Sequence, residues 1–101
     1  PTIPTNPNKR LTFLIMEQLY IQIARTDLLS IKTRIKISVE EIQEKAPERK
    51  NYINPMLEAI NQIDYVYNVL DSLETKLKLI QELENTRQEM KIQKKIEESN
   101  I

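Results

Sequence analysis

Not one of the 101 residues is glycine. Glycine takes positive φ at tight turns and helix C-caps at no steric cost. A β-sandwich or an α/β fold of this length needs several such positions. A chain that lacks them turns rarely, and long helices are the shape that turns least. The fold class expected is all-α, with two long helices over about 9–45 and 55–95 joined by a proline-bounded linker. This is the outline of a coiled-coil or helical-bundle subunit.

The same count removes most chemistry. There is no cysteine and no histidine, so disulfides, thiolate metal sites and histidine-based nucleophilic catalysis are excluded. Glycine-rich phosphate loops lack their glycines. Fifteen basic residues balance fifteen acidic ones, which argues against a dedicated nucleic-acid binder. Charged residues reach 30% and hydrophobic ones 40%, the profile of helices with solvated faces. No apolar run of about 18 residues is present, so no transmembrane helix is expected. No basic-then-apolar signal peptide opens the chain. It begins at Pro1 rather than Met, and a trimmed or incomplete start is the expectation. The cytoplasm or a cytoplasmic surface is the default location.

Residues 1–8 contain Pro1, Pro4 and Pro7, which predicts an extended arm. Asn6-Pro7 reads as a helix start, with Asn as N-cap. Helix one then covers 9–46, roughly 55 Å of helix. Its stripe runs through Ile21, Ala24, Leu28, Ile31, Ile35 and Ile42, with Leu14 upstream. Ser38 interrupts it and Val39 sits beside it. Leu11, Ile15, Leu19 and Ile23 form a flanking stripe. Arg34 to Val39 alternates like a strand, and Ser38 to Glu41 matches a capping box, but the surrounding period favours one unbroken helix. Ala46-Pro47 ends it, and 47–54 is the linker. Asn54-Pro55 repeats the start signal. Helix two, 55–101, carries Met56, Ala59, Ile63, Val66, Leu70, Leu73, Leu77 and Ile80 at heptad spacing. The next seam positions are Glu84 and Arg87, and a more polar tail follows.

Helix two has more apolar surface than a two-stranded seam uses. Two helices touching along one edge leave their flanking stripes in water, and such a pair is marginal alone. Partner chains are the simplest remedy. The expected partner interface is Met56, Ile60, Ile63, Val66, Tyr67, Leu70, Leu73, Leu77 and Ile80 on helix two. Helix one would add Leu28, Ile31, Ile35 and Ile42. Tyr65 and Tyr67 flank the seam as candidate anchors or core residues.

Carboxylates are the only catalytic candidates. Glu40, Glu41, Glu44, Glu82 and Glu84 stand among lysines on faces that read as solvated, which is not the setting of a general acid. A di-iron bundle would want Glu-x-x-His. The expectation is therefore no catalytic, metal or cofactor site, no small-molecule substrate and no enzyme activity. Basic residues gather in the first third (Lys9, Arg10, Arg25, Lys32, Arg34, Lys36) and at Lys91, Lys94 and Lys95. They read as solvated helix surface, or as a face for an acidic partner such as an organelle membrane or a microtubule.

The start of helix two reads Pro55-Met56-Leu57-Glu58-Ala59-Ile60-Asn61-Gln62-Ile63-Asp64, then Leu70-Asp71 and Lys76-Leu77. This stretch of about 25 residues resembles the signature of the subunit 2 family of the biogenesis of lysosome-related organelles complex 1. Most of the matched positions are heptad residues. The resemblance implies a small non-enzymatic helical subunit that assembles with other short coiled-coil chains in endosome and lysosome trafficking. It also implies a link to centrosomal γ-tubulin, and it carries over no catalytic residue. Two functions stay open: a structural subunit of such a hetero-oligomer, and a helical scaffold protein in a microtubule-based assembly (axoneme, centrosome or kinetochore).

Overall fold

The computed structural model describes residues 7–99. Among them are two α-helices, α1 (Pro7–Lys45) and α2 (Ile53–Ser99), joined by a 3₁₀ segment at Pro47–Tyr52. No strand occurs among the described residues. Most of the expected arm, 1–6, and its cap Asn6 lie outside them, whereas Pro7 and Asn8 already belong to α1. A proline in the first turn loses no hydrogen bond, because the first four amides have no intrahelical acceptor.

α1 runs unbroken through Ser38. Ile35, Val39 and Ile42 are shielded at four- and three-residue steps, while Ile37 is 50% exposed. The helical period prevails over the short alternation.

The connection shows how a chain without glycine turns. No described residue has positive φ. Ala46, restricted by the following proline, leaves the helix at φ −143° and ψ 60°. Its amide still donates to the Ile42 carbonyl at 3.1 Å, and its carbonyl accepts from Arg49 at 2.9 Å. Arg49 takes non-helical angles (φ −98°, ψ 18°). The chain then re-enters helix at Ile53, whose amide donates to Lys50. The expected linker is thus largely 3₁₀ helix. Asn54-Pro55 lies inside the first turn of α2 instead of capping it.

Two compact units divide the chain. The turn unit is Ile21–Ser72. In it α1 shields Ile21, Arg25, Leu28, Lys32, Ile35, Val39 and Ile42, and α2 shields Met56, Ile60, Ile63, Tyr67 and Leu70. Both series step by three and four, as one edge of a helix does. Ile21, Val39 and Ile60 are its buried hydrophobic residues.

The terminal unit pairs Pro1–Tyr20 with Leu73–Ile101. Its shielded residues include Arg10, Leu11, Phe13, Leu14, Glu17 and Gln18 on α1 and Glu74, Leu77, Gln81, Glu84 and Gln88 on α2. Leu14 is the one buried hydrophobic residue among the described residues of this unit. From Glu89 to Ser99 every residue of α2 is exposed.

Candidate interaction surface

Heptad letters place these residues. In each helix the shielded edge combines two heptad stripes. One is the stripe read from the sequence: Ile21, Leu28, Ile35 and Ile42 on α1, and Met56, Ile63, Leu70 and Leu77 on α2. The second lies one residue beyond the expected one. Ile60, Tyr67, Glu74 and Gln81 are shielded, whereas Val66, Leu73 and Ile80 are exposed; Ala59 is shielded as well. On α1, Arg25, Lys32 and Val39 are shielded and Ile31 is exposed, while Ala24 and Ser38 are shielded too.

The expected interface therefore divides. Met56, Ile60, Ile63, Tyr67, Leu70, Leu77, Leu28, Ile35 and Ile42 are at least half-buried, each within its own unit. Ile31, Val66, Leu73 and Ile80 face outward at 43–47% exposure. Ile15, Leu19 and Ile23 of the flanking stripe are also exposed.

Polar pairs line the edge from which Ile31 and Val66 are turned away. In the turn unit the Arg25 guanidinium donates to Asp71 at 2.7 Å, and Lys32 Nζ donates to Asp64 at 2.6 Å. Arg25 and Lys32 are seven apart, and so are Asp64 and Asp71. The order is reversed between the helices, as an antiparallel pair requires. Long basic side chains lay their methylenes along the seam and carry their charges out to its rim. The Arg25 guanidinium also lies 5.5 Å from the centre of the Tyr67 ring, a cation–π distance. Tyr67 is thus a seam residue, whereas Tyr65 is exposed. With Asp71 and Asp64 57% and 46% exposed, each bridge contributes only about 0.2–1 kcal/mol. Their weight is in selecting register.

In the terminal unit the polar groups sit deeper. Gln18 Nε2 donates to Gln81 Oε1 at 2.6 Å, both from shielded positions. Glu84, 7% exposed at its side chain, accepts from Arg10 at 3.2 Å and lies 3.7 Å from Arg87. Glu74, 5% exposed, pairs with Lys78 one turn on. Leu11, Phe13, Leu14 and Leu77 are the apolar side chains shielded beside them.

Other apolar side chains of the same unit are exposed. On α1, Ile15, Met16, Leu19 and Tyr20 are exposed; on α2, Leu73, Leu79, Ile80, Leu83 and Met90 are exposed. The carboxylates Glu40, Glu41, Glu44 and Glu82 are exposed. Among the described residues no cluster of three metal-ligating side chains occurs, and no helix is long and apolar enough to cross a membrane.

The reading by apolar period missed Gln18, Arg25, Lys32, Asp64, Asp71, Glu74 and Gln81 as seam or rim residues. Seven-residue spacing of opposite charges on two helices was the available signal. No family model, curated protein or solved structure matches the chain.

Proposed function

We propose that this chain is a non-enzymatic structural subunit of a multi-chain helical complex on the cytoplasmic side of the cell. One observation carries the reading: what is hidden against what is left in water. Among the described residues four hydrophobic side chains are buried, none of them fully, while twenty large ones are exposed. Single exposed apolar residues are ordinary, but periodic ones along helices mark surfaces that other helices cover.

The resemblance of 55–77 to the subunit 2 family supports endosome and lysosome trafficking as the setting. Asp64 and Asp71, both in that stretch, bind Lys32 and Arg25, so these acidic positions have a role within the chain's own helix pair. A second reading, a scaffold in a microtubule-based assembly, is favoured by the exposed Lys91, Lys94 and Lys95, which suit an acidic surface.

Sedimentation equilibrium with circular dichroism on the isolated chain is the test. Helicity that rises with concentration, and rises further when partner chains are added, is the expected result. A sharply melting, fully helical monomer at micromolar concentration refutes the proposal. Recovery with short coiled-coil chains supports trafficking, and recovery with tubulin supports the second reading.

A further inference from the structure

In the terminal unit the outward stripe of α2 has a charge pattern of its own. Leu73, Lys76, Ile80, Leu83, Arg87 and Met90 follow one another at steps of three and four, so they lie along one edge of the helix. All six are exposed. Both interruptions are basic, and Arg87 lies 3.7 Å from Glu84 of its own helix. The stripe runs on into a shallow, solvent-open surface formed by Arg87, Met90, Lys91, Gln93, Lys94 and Glu97. From Glu89 onward α2 is exposed on every side, and a bare helical end of this length is marginal in water.

Three occupants compete: a second copy, a lipid surface and a helix from another chain. The apolar spacing alone would suit a second copy lying antiparallel, with Ile80 against Leu83 and Leu73 against Met90. That same alignment sets Lys76 against Arg87 of the copy, twice over, and facing like charges oppose association. A lipid surface favours a broad apolar face with its cations at the margins, whereas here the basic residues stand inside a narrow stripe. Charge complementarity therefore selects the third.

We propose that this stripe docks one amphipathic helix of a different chain, whose apolar seam carries two acidic residues about eleven positions, ~16 Å, apart. This rests on the helical-subunit reading and specifies where a partner enters and what chemistry it brings. Lys76 and Arg87 would each meet one carboxylate, and the apolar residues between them would fill the seam.

The test uses the full chain and two synthetic helical peptides with the same leucine seam, one carrying Glu and the other Lys at the two positions. Calorimetry at low salt should show the Glu peptide binding about tenfold tighter or better. The outward-facing pair I80D/L83D should abolish binding with its helicity unchanged. The charge swap K76E/R87E should reverse the preference. Equal affinity for the two peptides, or none, overturns the proposal. So does a dimer of the chain alone, or binding to phosphatidylserine vesicles, that I80D/L83D eliminates. If the peptides fail while concentration-dependent helicity persists, the docking proposal falls and the subunit reading stands. A fully helical, non-associating monomer removes both.

Discussion

In the turn unit the shielded edges carry Ile21, Leu28, Ile35, Val39 and Ile42 against Met56, Ile60, Ile63 and Leu70, with Arg25 and Lys32 reaching its rim. In the terminal unit the corresponding edges carry Gln18 against Gln81, with Glu74 and Glu84 buried nearby. Both units leave apolar side chains outside; the first has the larger set of shielded apolar residues, and the terminal unit has Leu11, Phe13, Leu14 and Leu77. The same two helices thus combine a segment with a mainly apolar seam and one whose seam mixes buried polar side chains with a few apolar ones. The contrast teaches that the identity of every third and fourth residue can set a different balance of polar and apolar seam in two parts of one helix pair.

The contrast is sharpened most by amide exchange. Amides of 28–42 and 56–70 should exchange about a hundredfold more slowly than those of 89–99, because buried apolar contact sets local opening energy. Uniform protection in mass spectrometry would erase the distinction. Ile60→Ala, in the turn unit, should lower global stability by about 2 kcal/mol in denaturant titration. A negligible change would mean that the apolar seam is not what holds that unit.

Replacing the polar layer with apolar residues tests the other side. The double substitution Gln18→Leu and Gln81→Leu should raise stability by roughly 1 kcal/mol, since exchanging both partners for apolar groups leaves nothing unsatisfied. It should also spread the sedimentation profile over several species, because a polar layer specifies register and oligomer state. A single species of unchanged mass would deny the layer that role. Smallest of all, a double-mutant cycle on Arg25 and Asp71 should give a coupling of about 0.5 kcal/mol that fades at high salt. Coupling of several kcal/mol would make the bridge a stabiliser instead of a register device.

Apolar period made much of this legible. The stripe through Ile21, Leu28, Ile35 and Ile42 and that through Met56, Ile63, Leu70 and Leu77 are shielded as expected. Val66, Leu73, Ile80 and Ile31 were placed in the seam and lie outside it. Ala24, Ser38 and Ala59 of the same stripes are shielded, so hydrophobic spacing says which stripes are apolar, not which of their members are turned inward. Tyr67 shows the same limit, being read as a flank and found in the seam under Arg25.

What the amino-acid order determined alone was the helical class, the single turn near Pro47 and the surplus of apolar stripe. Those follow from local rules, namely the missing glycine, the prolines and the helical period. Only the tertiary structure decided the rotation of each helix about its axis. In that arrangement Arg25 meets Asp71, Lys32 meets Asp64 and Gln18 meets Gln81, contacts between residues 32 to 63 positions apart. Such pairings depend on which two surfaces meet, and local sequence pattern does not encode that.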